Sequence, residues 1–563
     1  MRSMTKLLDG FNPYRTEDAE RYKRLGWWGG LTFGDILDRA ADRYPDKEAF
    51  VDGASRLTFA QARDRVNRLA ISLMNLGIEP TERVLVQLPN WNEFVTVYFA
   101  LQKIGAIDVL LIDRYRPYEI NHLIRLSGAT AWVLPWKYRK TDYLPILREV
   151  LKENPQMKNI ILAKGGGQGD YLSLEALIEN AELTEKNISA LAQRRPDPMQ
   201  VAHMGPTGGT TGLPKIVPRT HNDLICSSEY AAKAWKMDSQ DTCLLVGPIG
   251  HDLTFTKGFL GSILTYGKTV FLDSTELDDI CRTIEKEKVT ALVWVPTLAR
   301  RLVAFKGLAN YNLSTLKKMH CGGGASLPDL IKDVGEKLGC AFFNGYGGTE
   351  GQTTLTRSDD PPETHYTTVG KPTCPHDSYK VVDGNGKELP VDTPGELLIK
   401  GPGVFTGYYK NPEENEKMFD KAGYFKTGDV AKIDKNGNVA LVGRIEEMIN
   451  RGGESISAVE VEKLIIDHPD VMFVAAVPMP DPEMGERVCA YIQPKPGARV
   501  HFNDILSFLK ERKASVLHFP ERIEFIDAMP FTKAEKIDKM ALVKDIEKKI
   551  KSNENHPVPK KSL

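Results

Sequence analysis

Short apolar runs and amphipathic segments alternate along the first part of the chain. From Thr58 the apolar positions recur at helical spacing as far as Gly77, and a threonine before and a glycine after such a pattern are typical of helix ends. The run RVLVQLPN (83–90) is typical of a buried strand, EFVTVYFALQKIG (93–105) of a second helix and AIDVLLID (106–113) of another strand. Together they predict a β-α-β unit, in which the two strands are parallel.

The same alternation returns further along the chain, in the strand-like runs KNIILA, DTCLLVG, KTVFLD and TALVWVP. It predicts an α/β fold with layered, mostly parallel sheets and helices between the strands. Between about 368 and 444, short strands and Gly/Pro turns predict a β-rich, barrel-like subdomain. An α+β segment follows GRIEEMINRGGESIS (443–457). We therefore expect a large N-terminal domain over 1–444 and a small C-terminal domain over 445–563.

Composition and charge narrow the class of protein. The 563-residue chain has 74 basic and 75 acidic residues, and this balance gives no overall attraction to nucleic acid or to an anionic membrane. Its seven cysteines never approach a C-x-x-C spacing, so neither a zinc site nor a disulfide framework is indicated. No apolar run reaches the roughly 18 residues of a membrane span. We expect a cytoplasmic protein with no nucleic-acid partner and no membrane insertion.

The segment MGPTGGTTGLPKIVPRTH (204–221) contains four glycines, four threonines and a lysine. Glycines let backbone N–H groups approach an anion, and hydroxyls and a lysine beside them suit phosphate oxygens. A Walker loop would place Ser or Thr directly after the lysine, whereas Ile216 follows Lys215 here. An ordinary turn has no use for so many glycines and hydroxyls. The segment therefore predicts a phosphate-binding loop of another design.

The sequence TGGTTGLPK (207–215) resembles the signature loop of the adenylate-forming superfamily, which contains acyl-CoA synthetases, aryl-acid activating enzymes and luciferases. Further segments that resemble the superfamily follow in the expected order: GGGASLP (322–328), NGYGGTEG (344–351), GELLIKGPGVFTGYYKNPE (395–413), YFKTGD (424–429), GRIEEMINRGGESIS (443–457) and PFTKAEKIDK (530–539). With the entry region GWWGGLTFGDILDRAADRYPDK (26–47) they cover nearly the whole chain. Ordered matches of this extent indicate membership far more strongly than one motif does.

The resemblance implies a reaction in which a carboxylate attacks the α-phosphate of ATP, pyrophosphate leaves, and the acyl group passes from acyl-AMP to a thiol. It implies ATP, Mg²⁺ and coenzyme A as cofactors or co-substrates. In the family pattern Tyr346 would stack on adenine, Asp429 would accept the ribose hydroxyls and Arg444 would make a second ribose or phosphate contact. The residues implied to bind ATP or AMP are Thr207, Gly208, Gly209, Thr210, Thr211, Gly212, Gly324, Ala325, Ser326, Asn344, Gly345, Tyr346, Gly347, Thr349, Asp429 and Arg444.

Three residues match the catalytic positions of the family. Lys215 would lie beside the β- and γ-phosphates, Lys536 would bridge the attacking carboxylate and the α-phosphate, and His251 would form an aromatic gate to the acid pocket. Glu350 resembles the Mg²⁺ ligand, because a carboxylate suits a hard metal ion that also contacts phosphates. Taken alone, a lysine in a charged stretch is usually a solvated side chain and a lone histidine is usually structural.

The remaining implied positions concern the acid, the thiol and the movement of the C-terminal domain as a lid. The acid pocket is implied to contain His251, Asp252, Lys257, Gly323 and Gly345. Gly452 and Gly453 would line the coenzyme A tunnel, where a side chain would obstruct the pantetheine arm, and Glu447 takes the hinge position. An ordinary turn is the alternative explanation of the glycine pair.

Several departures from the family pattern bear on the substrate. Gly208 and Ile216 resemble the branch of the family that activates 2,3-dihydroxybenzoate. That branch has an Asn that binds a ring hydroxyl, and Asp252 stands at this position here, which argues against dihydroxybenzoate itself as the substrate. Glu447 replaces the usual hinge Asp and keeps its charge. Glu535 replaces the usual Gly and places an anion beside Lys536, which would alter the balance between the two half-reactions.

These observations predict a reversible, AMP-forming ligase that joins a cyclic carboxylic acid, aromatic or alicyclic, to coenzyme A. One alternative is an aryl-acid ligase that loads an aryl-carrier protein. A second is a nucleotide- or acyl-AMP-binding protein without turnover, which would be expected to have lost the charged catalytic positions. The identity of the acid and the direction in which the reaction runs are not determined by the sequence.

Overall fold

The computed structural model describes residues 7–165, 169–207, 214–451, 454–512, 514–532 and 536–554. Its N-terminal part contains two large sheets, and most neighbouring strands in both are parallel. The nine-stranded sheet has the spatial order Lys371–Pro372, Thr353–Leu355, Ala341–Gly347, Lys318–Cys321, Ala291–Trp294, Thr242–Leu245, Lys268–Phe271, Glu48–Asp52 and Ser55–Thr58. The seven-stranded sheet has the order Lys215–Thr220, Val201–Thr207, Ile107–Leu110, Arg83–Val86, Ala131–Pro135, Asn159–Ala163 and Leu172–Ser173.

The β-α-β unit predicted near the N-terminus is present. Its strands Arg83–Val86 and Ile107–Leu110 pair in parallel around the helix Asn92–Ile104, which Gly105 ends in the left-handed conformation. The preceding helix, Phe59–Asn75, has Thr58 as its N-cap, with a capping box to Gln61. The predicted strands near 160, 243, 270 and 292 are present as well, so the α/β expectation is confirmed.

Helices cover both large sheets and continue into the C-terminal part. The α-helices are Thr16–Arg24, Phe33–Arg43, Phe59–Asn75, Asn92–Ile104, Pro117–Ser127, Tyr143–Glu153, Leu174–Glu179, Glu185–Gln193, His221–Ala234, Gly261–Leu264, Leu277–Glu287, Pro296–Val303, Pro328–Leu338, Pro362–Thr367, Pro412–Met418, Ala458–Ile466, Phe502–Glu511 and Lys539–Glu554. A π-helix spans Leu253–Leu260, and short 3₁₀ turns occur at Leu308–Asn310, Ile445–Glu447 and Val516–His518. None of the helices in the described ranges is long and apolar enough to cross a membrane.

The β-rich segment forms a four-stranded antiparallel sheet of Ser378–Val382, Gly395–Lys400, Phe425–Ile433 and Val439–Arg444. A second, five-stranded sheet follows, with Glu454–Ser457, Met448–Arg451, Gly485–Pro494 and Val471–Asp481 in order and Arg522–Phe525 beside Gly485–Pro494. A two-stranded ribbon joins Lys137–Tyr138 and Thr141–Asp142. The 3₁₀ turn Ile445–Glu447 lies between these two sheets, and the domain boundary that we propose near Arg444 stays a prediction.

The largest apolar cluster lies between the two parallel sheets and holds the π-helix in place. Phe94 and Tyr98 on the helix Asn92–Ile104 contact Phe255 and Phe259 on the π-helix, with ring centroids 5.2–6.3 Å apart. All four rings are fully buried. This packing fixes the π-helix that follows His251, and with it one wall of the candidate site.

Candidate active site

The predicted phosphate loop joins two antiparallel strands at the edge of the seven-stranded sheet. Its ends are paired directly, because Thr207 lies opposite Lys215 in the register of Val201–Thr207 and Lys215–Thr220. The predicted residues Gly208, Gly209, Thr210, Thr211 and Gly212 lie outside the described residues. The Lys215 ammonium forms an ion pair with Glu414 and lies 4.8 Å from the ring centroid of Tyr408.

Glu350 is buried and contacts Tyr408, the same residue whose ring Lys215 faces. The Tyr408 hydroxyl donates a 2.9 Å hydrogen bond to Glu350 Oε1, and the Phe405 N–H donates to the Glu350 carbonyl at 2.8 Å. Burial raises the pKa of the Glu350 carboxyl, and the hydrogen bonds and Arg444 act in the opposite direction. In the described part of the chain no three acidic, His or Cys side chains cluster as a complete metal site. A single carboxylate nevertheless fits Mg²⁺, which takes one or two carboxylates and obtains its other ligands from phosphates and water.

Register in the four-stranded sheet brings two predicted nucleotide contacts together. Asp429 pairs with Arg444 across the strands, and Arg444 Nε lies 3.1 Å from Asp429 Oδ1. The Tyr346 hydroxyl donates to Asp429 Oδ2 at 2.5 Å, and the Asp429 N–H donates to Thr427 Oγ1 at 3.1 Å. Tyr346 therefore holds the carboxylate through its hydroxyl, and its predicted stacking on adenine stays a prediction.

Glycines form a further wall of the candidate nucleotide site, and at two of them a side chain would collide with a neighbouring residue. A Cβ at Gly345 would lie 2.7 Å from His320 Nε2, and one at Gly347 would lie 2.8 Å from the Gln352 carbonyl. Gly323 has a φ of +82°, which disfavours any side chain. The other predicted members of the wall also lie here: Gly324 and Ala325 are exposed, Thr349 is half-buried, and Ser326 and Asn344 are buried.

Lys536 lies against this glycine wall. A Cβ at Gly323 would be 3.3 Å from Lys536 Cε and 3.9 Å from its Nζ. The Lys536 residue is exposed as a whole, but neighbouring groups surround its ammonium. This burial lowers the pKa of Lys536, and the positive charge of Arg444 lowers it further. Asp429 and Glu350 oppose that shift. The C-terminal lysine and the N-terminal carboxylates thus act on one another in a single cleft.

The acid-pocket candidates lie on the π-helix and just before it. Burial lowers the pKa of His251 to about 4, with a contribution from Lys536, so the imidazole is neutral near pH 7. Asp252 and Lys257 are five residues apart, and the i to i+5 repeat of a π-helix places such positions on one face. Asp252 raises the pKa of Lys257, against the larger lowering by burial.

Lys257 is a buried cation on which Asp252 and Asp377 act through their charges. Its exposed fraction is 4%, and no hydrogen bond or ion pair joins it to any other residue that the structure describes. Burial lowers the pKa of His320 to about 3, and the positive charge of Lys257 contributes to that lowering. The pocket therefore combines a neutral imidazole, a carboxylate and an ammonium that forms no ion pair with any residue the structure describes.

Two further predicted positions concern the lid. Glu447 ends the 3₁₀ turn Ile445–Glu447 between the two antiparallel sheets, and its Oε2 accepts a 2.9 Å hydrogen bond from Lys539. Gly452 and Gly453, predicted to line the thiol tunnel, and Glu535 lie outside the described residues. Their roles stay predictions.

Sequence reasoning did not identify several residues that support the site. Buried Arg219 pairs with Asp223 at 2.5 Å and donates to the Thr349 carbonyl at 2.9 Å, which fixes the loop before Glu350. Tyr408 donates a hydrogen bond to Glu350, the predicted metal ligand. Glu414 forms an ion pair with Lys215, the lysine predicted to lie beside the phosphates. Arg219 lies in the quoted PRTH stretch and Tyr408 in the GYYKNPE stretch, so the motifs contained them without revealing their contacts.

A glycine-walled cleft with a lysine supplied from the C-terminal part is the arrangement expected of an adenylate-forming ligase, and the comparisons with known proteins show that class. The chain belongs to the AMP-binding enzyme family: residues 37–409 match the AMP-binding enzyme pattern, and residues 460–536 match the AMP-binding enzyme C-terminal domain.

Curated relatives match almost end to end. The chain is 35% identical to a 2-hydroxy-7-methoxy-5-methyl-1-naphthoate–CoA ligase of Streptomyces carzinostaticus, over 95% of this chain and 96% of that protein. It is also 35% identical to a 2,3-dihydroxybenzoate-AMP ligase of Bacillus subtilis, over 97% of this chain and 99% of that protein. Among solved structures, apo MbtA from Mycobacterium smegmatis superposes with a TM-score of 0.71 at 31% identity, covering 95% of this chain and 98% of that one.

Proposed function

We propose that this ligase activates a cyclic carboxylic acid as its acyl-adenylate and transfers the acyl group to coenzyme A. The observation that carries the proposal is the position of Lys536 beside Gly323, within the field of Arg444, Asp429 and Glu350. A carboxylate and a triphosphate repel each other, so their reaction needs fixed cations at the point where they meet.

In this proposal each half of the chain supplies part of the charge. Lys215 neutralises the leaving pyrophosphate, Asp429 and Tyr346 fix the ribose and adenine, and Lys536 attracts both the acid carboxylate and the α-phosphate. Glu350 would hold Mg²⁺, which supplies Lewis-acid stabilisation of the phosphates when bound. Neutral His251 would gate the acid pocket without adding charge.

The choice of a cyclic acid rests on the relatives. Both curated relatives are named as ligases of aromatic acids, a naphthoate and a dihydroxybenzoate. The choice of coenzyme A rests on one of those relatives and on a narrow cleft beside Gly247–Gly250 that is lined by Arg114 and Arg139, the second of which pairs with Asp273. Guanidinium groups suit the phosphates of a nucleotide thiol.

The test is AMP release from ATP with a panel of acids: benzoate, dihydroxybenzoates, cyclohexanecarboxylate and short straight-chain acids. We expect cyclic acids to release AMP in the presence of free coenzyme A, and Lys536→Ala to lower the rate by about 10²–10⁴-fold, since it removes a charge that acts at the reacting atoms. Lys510→Ala, an exposed lysine of the same C-terminal part, is the matched control and should leave the rate unchanged.

A second candidate, the loading of an aryl-carrier protein, is favoured by the dihydroxybenzoate-AMP ligase match. It predicts acid-dependent pyrophosphate exchange without thioester formation on free coenzyme A, and transfer only to a phosphopantetheinyl protein. That result would reject coenzyme A as the acceptor and leave the adenylation step intact. Absence of exchange with every acid would instead favour a nucleotide-binding protein without turnover.

A further inference from the structure

The hinge position and the catalytic lysine are linked by a residue that the reaction itself does not require. Lys539 Nζ lies 2.9 Å from Glu447 Oε2 and 2.9 Å from Glu462 Oε1. Glu462 projects from the helix Ala458–Ile466, and its Oε1 also accepts a hydrogen bond from the Ala476 N–H at 2.8 Å. One ammonium therefore joins a carboxylate at the hinge position to a carboxylate on the helix that follows it.

The same lysine is rigidly connected to Lys536. Between the two residues Ile537 forms a β-bridge with Phe531, and the Asp538 N–H donates to the Pro530 carbonyl at 2.9 Å. The Lys536 carbonyl accepts from the Thr532 N–H at 2.7 Å. The helix Lys539–Glu554 begins directly afterwards. A displacement of Lys539 therefore moves Lys536 with it.

The position of Glu447 makes this ion pair sensitive to lid rotation. Rotation about the Cα–C bond of Glu447 carries all later residues, Lys539 and Glu462 included, while the Glu447 side chain stays with the preceding part. The Lys539–Glu462 pair survives such a rotation, whereas the Lys539–Glu447 pair breaks. Only the second contact distinguishes one lid position from another.

We propose that Lys539 is a positioning residue, which holds Lys536 at Gly323 for adenylation through its ion pair with Glu447 and releases it for thioester formation. The proposal rests on the hinge position and the two half-reactions of the proposed function. Lys539 contacts neither the acid nor ATP in this proposal. It nevertheless controls how the lid divides its time between the adenylation position and the transfer position. Half-burial makes the pair stronger than an exposed one, because less water screens it.

The test compares the half-reactions in Lys539→Met, using the acid of the panel that gives the most AMP. Acid-dependent exchange of labelled pyrophosphate into ATP reports adenylation, and consumption of the synthetic acyl-AMP by the thiol acceptor reports transfer. We expect exchange to fall by about 10- to 100-fold, as for the loss of a partly buried charge partner, and transfer to fall by less than about threefold. Lys539→Arg should restore most of the exchange because it keeps both ion pairs.

Lys549 offers a matched control on the same helix. It lies 2.7 Å from Glu524 and 2.7 Å from Asp545, so Lys549→Met removes an equivalent two-carboxylate contact that does not involve the hinge. Lys549→Met should leave the ratio of the half-reactions unchanged. Equal losses of exchange and transfer in Lys539→Met, or a ratio like that of the control, would overturn the proposal.

Glu447→Gln covers the case in which Lys539→Met does not fold. It weakens the hinge contact and keeps the pair between Lys539 and Glu462, so the C-terminal packing is retained. Exchange should fall while transfer is maintained, and an unchanged ratio counts against the proposal. Pyrophosphate exchange needs no thiol, so a failure of coenzyme A as the acceptor would reject the proposed function without affecting the exchange measurement in these variants.

Discussion

Replacement of Lys257 by methionine tests whether the acid pocket holds an uncompensated charge. The Lys257 side chain is buried and its ammonium has no hydrogen-bonding partner among the described residues, so part of its desolvation cost is not offset, and removing such a group changes stability by about 1–3 kcal/mol. Methionine is also unbranched and only one atom shorter, so it leaves little cavity. We expect Lys257→Met to be more stable than the wild type by about 1–3 kcal/mol at pH 7.

The pH dependence of stability provides a second test of whether the Lys257 charge destabilises the folded protein. Burial lowers the pKa of Lys257 in the folded protein below its value in the unfolded chain. The destabilisation is therefore fully present below the folded pKa, and it fades as the pH rises from there towards the unfolded pKa. The advantage of Lys257→Met should be largest at pH 7 and should shrink at pH 10.

Thermal unfolding followed by fluorescence at both pH values measures this difference without a substrate. Lys337→Met is the control, since Lys337 forms an exposed pair with Asp333 on the helix Pro328–Leu338 and its loss should change stability by no more than about 0.5 kcal/mol. A lower stability of Lys257→Met at pH 7 would show that the ammonium is compensated, and the reasoning about the pocket would be refuted.

Three other substitutions address the nucleotide site. Glu414→Gln should lower the KM for ATP by about two- to fivefold, because the triphosphate no longer competes with a carboxylate for Lys215. Tyr346→Phe removes the hydrogen bond to Asp429 and should raise the KM for ATP by about tenfold with little change in the KM for the acid. Glu350→Gln should raise the Mg²⁺ concentration needed for half-maximal exchange, and an unchanged Mg²⁺ titration would contradict its role as the metal ligand.

Much of the fold followed from local pattern. The helix Phe59–Asn75 has its threonine cap and the parallel strands around Asn92–Ile104 have their apolar runs, because burial on both faces demands such residues. The π-helix Leu253–Leu260 could not be predicted, since its stabilisation comes from packing of Phe255 and Phe259 against a helix about 160 residues away in the sequence.

Motifs named candidate residues of the site, whereas contacts between distant residues could not be predicted. The strand register pairs Asp429 with Arg444, two residues singled out from their motifs, and their nucleotide contacts stay predictions. The ion pair of Lys215 with Glu414 and the contact of Lys539 with Glu447 join residues about 200 and about 90 positions apart, which no local spacing encodes. Such pairs depend on how the sheets are arranged in space.

The π-helical winding after His251 has a consequence for how this pocket could change over time. At 3.6 residues per turn, positions four apart on an α-helix lie about 40° from each other, whereas positions five apart lie about 140° away. Loss of one residue between Asp252 and Lys257 would therefore keep the two on one face of an α-helix, and loss of one residue within 258–260 that restored α-helical winding would turn them apart. The place of a single-codon deletion thus decides whether this pair of charges is kept, without any substitution of either residue.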